Sequence, residues 1–85
     1  MIDQEPKIPR TIIKSDKPPT LEEAKAFVEG PVQMITLCDG SQMLINEEGA
    51  TLKLPINEVA SERINGYIVG NAMILISDAR WKSGP

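Results

Sequence analysis

The chain has 85 residues, of which 41% are hydrophobic and 25% charged, and a net charge of −3. This length and composition predict one small folded domain and disfavour a coiled coil, a collagen-like chain or wholesale disorder. The longest apolar run, residues 72–76, is far shorter than the roughly 20 residues of a membrane helix, and no apolar signal segment follows Met1, so we expect a cytoplasmic protein without a membrane anchor.

Residues 1–19 are predicted to form an extended or disordered arm. They hold four of the seven prolines and show neither helical nor strand periodicity. The apolar triplet Thr11-Ile12-Ile13 leaves a second prediction open, in which it adds as a strand to the edge of a sheet of this chain or of a partner.

A first helix is predicted over residues 21–29. Thr20 and Glu23 have the spacing of a capping box, and Gly30-Pro31 is a typical helix end. The apolar residues at helical spacing are Leu21, Ala24, Phe27 and Val28. A helix this short is marginal alone, so we expect it to pack against the rest of the domain.

Three strands are predicted next. Residues 32–38 are rich in strand-forming residues, and Asp39-Gly40 then predicts a hairpin turn before a second strand over residues 41–46. After an acidic turn, residues 50–54 alternate apolar and polar side chains, which predicts a third, shorter strand or an extended arm.

The last predicted elements are a helix over residues 58–64 and a buried strand within residues 67–77. Asn57 is a favourable N-cap for the helix. The final segment is dense in Ile, Val, Met and Leu, and Gly70-Asn71 inside it predicts a bulge or a tight turn.

The predicted fold class is therefore α+β, with two short helices and a small, mostly antiparallel sheet of about four strands in the order α-β-β-β-α-β. The domain spans residues 20–77 and is followed by a polar tail, 78–85, whose Trp81 is expected to cover an apolar edge or, alternatively, to serve as a ligand platform. Because so small a domain is marginally stable, a homo-oligomer, such as a dimer through an exposed strand edge, remains an open prediction.

The charge of the predicted domain argues against one class of partner. Residues 20–77 carry three basic and eight acidic side chains, a net charge of −5. An acidic domain repels a phosphate backbone, so we do not expect generic nucleic-acid binding.

Several short motifs together resemble a known family of domains. They are Thr20-Leu21-Glu22-Glu23-Ala24, the hairpin at Asp39-Gly40, Asn46-Glu47-Glu48-Gly49, Leu54-Pro55-Ile56-Asn57-Glu58-Val59-Ala60-Ser61 and Ile68-Val69-Gly70-Asn71-Ala72. Over about residues 20–76 the set resembles an uncharacterised family of small domains common in bacteriophages, plasmids and their bacterial hosts. The resemblance implies a phage or mobile-element origin and a compact α+β domain, but no reaction and no catalytic residue. The arm and the Arg80-Trp81-Lys82 tail lie outside it.

No catalytic residue, metal or cofactor is predicted. The chain has no His and a single Cys, which disfavours a zinc site, a His-based triad and an internal disulfide. Cys38 has no basic neighbour in sequence, so we expect a core or half-buried thiol and not a nucleophile. The adjacent carboxylates Glu47 and Glu48 would point to different sides of an extended backbone and do not form an acid/base pair by themselves.

The candidate binding residues are Glu47, Glu48, Gly49, Asn57, Glu58 and Trp81. Backbone amides near Gly49 and at the start of the helix after Asn57 are potential anion donors. The nearby glutamates oppose an anion, and helix capping explains Asn57 without a ligand.

Three functions follow from these observations. The favoured one is a non-enzymatic interaction module that acts on a host protein in the cytoplasm, through an open sheet edge or the acidic face. The second is an oligomeric protein that binds a small, nucleotide-like ligand at its subunit boundaries. The third and least favoured is a carboxylate-dependent hydrolase.

Overall fold

A computed structural model describes residues 8–82, which form a four-stranded mixed sheet with one helix packed on each face. The sheet order is β1-β4-β3-β2. The strands are β1 (Thr11–Lys14), β2 (Val32–Thr36), β3 (Gln42–Asn46) and β4 (Ala72–Leu75), and the helices are α1 (Leu21–Val28) and α2 (Glu58–Ile64).

Strand pairing confirms the α+β class and corrects part of the predicted topology. β2, β3 and β4 pair antiparallel, as expected, but β1 pairs parallel to β4, with Thr11 opposite Ala72. The sheet is therefore mixed, and the chain order is β-α-β-β-α-β.

The predicted arm contributes the fourth strand. Of the two predictions for its apolar triplet, strand addition describes the structure, because Thr11–Lys14 forms β1. The Ala72 N–H donates to the Arg10 carbonyl at 2.9 Å and the Ile76 N–H to the Lys14 carbonyl at 2.9 Å. The part of the arm before residue 8 lies outside the described residues.

The third strand predicted at residues 50–54 is wrong, because the chain forms a series of turns there. The Leu52 N–H donates to the Glu48 carbonyl and the Leu54 N–H to the Gly49 carbonyl, and Lys53 has a left-handed φ of 55°. These local hydrogen bonds coil the backbone. The apolar alternation therefore does not mark a strand face, and Leu52 is half exposed.

The buried strand predicted within residues 67–77 is shorter than expected. Only Ala72–Leu75 is a strand, while Val69 makes an isolated antiparallel bridge to Ile56. Gly70 turns the chain between them with a φ of 80°, a conformation that favours glycine. The turn predicted at Gly70-Asn71 therefore separates Val69, which is bridged to Ile56, from β4, which pairs with β1 and β3.

The helices begin where the sequence predicts. Thr20 and Glu23 form the complete capping box, with the Glu23 N–H donating to Thr20 Oγ1 at 3.1 Å and the Thr20 N–H to Glu23 Oε1 at 2.9 Å. α2 spans the predicted residues 58–64 and is capped by Asn57.

Two apolar clusters lie on opposite faces of the sheet, because successive strand side chains alternate between the faces. The α1 face buries Ala24, Val28, Val32, Leu44, Met73, Leu75 and Ala79. The α2 face buries Met43, Ile45, Ala60, Ile68, Ala72 and Ile74.

Candidate functional site

Asn57 is a buried structural residue at the junction of three segments. Its Oδ1 accepts from the Ala60 N–H and from Thr11 Oγ1, each at 3.0 Å. Its Nδ2 donates to the Gly70 carbonyl at 2.9 Å. The side chain therefore caps α2 and ties it to β1 and to the Gly70 turn, which leaves none of its polar atoms for a ligand.

The acidic turn after β3 is organised by Asn46. Asn46 Oδ1 accepts from the Glu48 N–H at 2.7 Å, and the Asn46 carbonyl accepts from the Gly49 N–H at 3.1 Å. Both amides proposed as anion donors are therefore already bonded. Gly49 is buried, and a Cβ there would lie 2.9 Å from Val69 Cγ2, so close packing explains this glycine.

Glu47 and Glu48 are both exposed. Glu47 lines a groove beside β2, and its N–H donates to the Pro31 carbonyl at 2.8 Å. Among the described residues, no group of three or more Asp, Glu, Cys or His side chains is placed to hold a metal ion.

Glu58 lies beside an exposed apolar cluster. Ile8, Ile56 and Val59 line one groove of about 400 Å³ with Glu58, and their exposed fractions are 84%, 40% and 62%. We call these three side chains the Ile56 patch. Large apolar side chains that cluster in water at one groove are typical of an interaction surface.

Trp81 lies far from these residues and has a structural role. Its ring packs against the α1-face cluster, and its Nε1 donates to the Pro19 carbonyl at 2.9 Å. Gln42 bonds both the N–H and the carbonyl of Trp81, at 2.6 and 2.7 Å. Gln42 is at the opposite end of β3 from Asn46, about 13 Å away at the usual rise of a strand.

The six predicted binding residues thus do not converge on one site. Gly49 and Asn57 both contact the segment around Gly70, whereas Trp81 closes the other end of the sheet. Asn57 and Glu58 both line the groove of the Ile56 patch, but Asn57 is buried and its polar atoms are bonded within the fold.

A third groove, which we call the Arg10 groove and which also measures about 400 Å³, was not predicted. Arg10, Leu54 and Asn71 contribute to its lining, and the Arg10 guanidinium lies 5.1 Å from the centre of the Phe27 ring. Asn71 accepts from the Arg10 N–H at 2.8 Å and donates to the Phe27 carbonyl at 2.8 Å. The sequence indicates a turn at Asn71, but nothing local indicates that it joins residues 44 and 61 positions away.

The hairpin turn carries an acid, Asp39, whose pKa is clearly perturbed. Ser41 donates its hydroxyl to Asp39 at 2.6 Å and its N–H at 3.0 Å, and these bonds hold the pKa of Asp39 below its ordinary value of 3.8. Hydrogen bonds to the carboxylate form have this direction. A lowered pKa keeps Asp39 ionised and is unsuited to a general acid.

Cys38 corrects a sequence prediction, because its thiol is free and exposed and does not lie in the core. The apolar strand that was expected to enclose it ends at Thr36, two residues earlier. Cys38 therefore lies in the hairpin loop.

Comparison with known proteins shows the family of this chain. Residues 1–83 match the family described as Domain of unknown function (DUF3846), and the chain belongs to that family. The match includes the arm and most of the tail, which the sequence resemblance placed outside. Neither the curated proteins nor the solved structures contain a match. Within residues 8–82, no helix has the length and apolar character needed to span a membrane.

Proposed function

We propose that this chain is a non-enzymatic interaction module that binds another protein through the Ile56 patch. The observation that carries the proposal is the exposure of Ile8, Ile56 and Val59 around one groove. Covering such side chains removes apolar area from water, which contributes about 25 cal/mol per Å². The polar candidate residues have fewer groups available for a partner, because Asn57 and the amides near Gly49 are already bonded within the fold.

The chemistry of the groove defines the partner segment that it would accept. Ile8, Ile56 and Val59 would pack around an apolar anchor side chain, and the exposed Glu58 carboxylate lies on the rim. The chain as a whole carries a net charge of −3. We therefore expect a partner surface with an apolar side chain next to a Lys or Arg, since complementary charge increases association rates and selects partners.

The proposed setting is the cytoplasm of a bacterial host, where the partner is a host protein. This part of the proposal rests on the sequence resemblance to a family found in phages and plasmids, and on the acidic character of the domain. A small protein without its own catalytic set would act by occupying a surface of its target.

Val59→Glu provides the most selective test of this function. Val59 is 62% exposed and lies in the first turn of α2, where a carboxylate is favourable to the helix dipole, so the variant should fold. Leu52→Glu is the matched control, because Leu52 is 52% exposed but lies in the turns after β3, outside the groove.

The experiment starts with the tagged wild-type chain in lysate of its natural host and continues with the purified captured protein. We expect the Kd for that protein to rise more than tenfold for Val59→Glu, the effect of a central interface residue. Leu52→Glu should leave the Kd unchanged. Equal affinity of Val59→Glu and the wild type would refute the Ile56 patch as the binding surface.

The small-ligand alternative is supported by one observation, the Arg10 side chain in the Arg10 groove. A nucleotide-like anion bound there would raise the thermal midpoint of the wild type, and Arg10→Gln would abolish the shift. The carboxylate-hydrolase alternative is not supported by the groove beside β2, since Glu47 lines it and Glu48 does not.

A further inference from the structure

β2 is an edge strand whose outer side pairs with no other strand of the described residues. The hydrogen bonds at the two ends of the hairpin show which residues of β2 bond to β3 and which point outward. The Glu47 N–H donates to the Pro31 carbonyl and the Leu37 N–H to the Ser41 carbonyl. Since the pairing alternates along an antiparallel ladder, Gln33 and Ile35 face β3, and the backbone groups of Val32, Met34 and Thr36 point outward.

The β2 edge lacks the features that normally prevent pairing between sheets. The strand reads Val-Gln-Met-Ile-Thr, with no charged residue, no glycine and no proline. Edge strands are usually protected by Lys, Pro, a bulge or a covering element. A proline precedes both edge strands, but only β1 carries a charged residue within the strand, Lys14.

We propose that β2 pairs antiparallel with β2 of a second copy of this chain, about a twofold axis at Met34. This register places Met34 opposite Met34 of the second copy, and Val32 opposite Thr36 of the second copy. All three residues present outward backbone groups, so each opposed pair exchanges both of its N–H···O bonds. The edge is therefore complementary to itself, as an isologous interface requires.

The side chains beside the edge support the same arrangement. A groove of about 470 Å³ runs along β2 on the α1 face, lined by Leu21, Val32 and Met34. The two α1 helices would lie on the same face of the continuous eight-stranded sheet, because directly opposed residues share a face. Met34 of the second copy would then cover the groove beside Met34.

The charges at this edge do not oppose pairing with a second copy. Lys25 and Glu47, one of each sign, line the groove, and the five strand residues are neutral. The proposed dimer goes beyond the interaction function and uses a different surface, since β2 and β1 form opposite edges of the sheet and the Ile56 patch includes Ile8, just before β1.

Thr36→Pro tests the pairing directly. Thr36 is exposed, and its N–H points away from β3, so proline removes only the bond to the second copy. Thr36→Val keeps that N–H and is the matched control. In sedimentation velocity over a dilution series, we expect the wild type and Thr36→Val to reach twice the 9.3 kDa chain mass and Thr36→Pro to stay at one.

A cross-linking measurement covers the case in which Thr36→Pro does not fold. In a Cys38→Ser background, Met34→Cys places two thiols across the proposed axis, where a short bis-maleimide would link them. Leu52→Cys in the same background is the control, because residue 52 lies in the turns after β3. Covalent dimer from Met34→Cys alone supports the proposal.

Two results would overturn the dimer, namely a wild-type chain that is monomeric at every concentration, or a folded Thr36→Pro variant that remains dimeric. Val59→Glu should sediment as the wild type does. Loss of partner binding in Val59→Glu with retained dimerisation would separate this inference from the proposed function.

Discussion

The helices on the two faces of the sheet bury different amounts of apolar side chain. On the α1 face, an eight-residue helix with a complete capping box buries Ala24 and Val28 against strand side chains, and Trp81 packs against the same cluster. On the α2 face, a seven-residue helix buries only Ala60, and side-chain hydrogen bonds from Asn57 and Ser61 attach it to distant backbone. Polar contacts hold both helices, since Asn46 and Asn71 donate to the Val28 and Phe27 carbonyls of α1, but α1 buries more apolar side chain than α2.

This difference has a consequence for the surface. α2 packs Ala60 and the half-buried Ile64 against the sheet, and Val59 lies away from that contact and is 62% exposed. The face with less apolar packing therefore presents the exposed apolar side chains that we assign to partner binding.

The largest expected effect is on the apolar packing of the α1 face. Leu44 is fully buried, and Leu44→Ala should lower the free energy of unfolding by about 3–4 kcal/mol, because it removes apolar contacts and leaves a cavity. Leu52→Ala, at a half-exposed position, should change it by less than about 0.5 kcal/mol. Urea unfolding measures both values. Equal losses in the two variants would show that the α1 face is not a packed core.

The next largest loss of stability is expected at Asn57, whose side chain attaches α2 to the rest of the fold. Asn57→Ala removes the cap of α2 and leaves the Gly70 carbonyl without its donor, so we expect a loss of about 2–3 kcal/mol. Glu62→Ala, on the exposed side of the same helix, is the control and should be near neutral. An Asn57→Ala variant as stable as the control would contradict the polar attachment.

A smaller effect is expected at the capping box of α1. Thr20→Ala removes the acceptor of the Glu23 N–H and should cost about 1 kcal/mol. Thr51→Ala, at an exposed turn, is the comparison. In chemical denaturation, we expect Thr20→Ala to lose much less unfolding free energy than Leu44→Ala. A larger loss in Thr20→Ala would show that the capping box contributes more to stability than the buried core of this face.

The smallest effect concerns pH at the hairpin. The hydrogen bonds from Ser41 lower the pKa of Asp39 in the folded chain, so this carboxylate stabilises the fold above its ordinary pKa of 3.8. That contribution is lost as the pH falls through the lower folded value. Asp39→Asn should therefore show a shallower loss of stability below pH 3.8 than the wild type, and identical pH profiles would remove Asp39 from the acid response.

Local patterns in the sequence predicted the elements whose causes are local. The Thr20 capping box, the Asn57 cap and the Asp39-Gly40 turn each depend on residues a few positions apart. The apolar alternation at residues 50–54 predicted a strand that does not form. The chain turns there through backbone hydrogen bonds, which the hydrophobic pattern does not reveal.

The contacts between distant segments were beyond sequence reasoning. The parallel pairing of Thr11 with Ala72 and the Thr11 bond to Asn57 depend on the whole fold. The Ile56 patch has the same origin, since Ile8 and Val59 meet only when β1 and α2 are in place. Of the predicted site residues, Asn57 and Glu58 both line this groove, and Glu58 is the exposed one of the two.

The most direct test of partner binding at the Ile56 patch is hydrogen–deuterium exchange of the full chain with and without its purified partner. We predict that added protection is confined to the segments that form the Ile56 patch, residue 8 and residues 56–59. Protection restricted to the acidic turn at residues 47–49 or to the hairpin loop would contradict it and place the binding surface elsewhere.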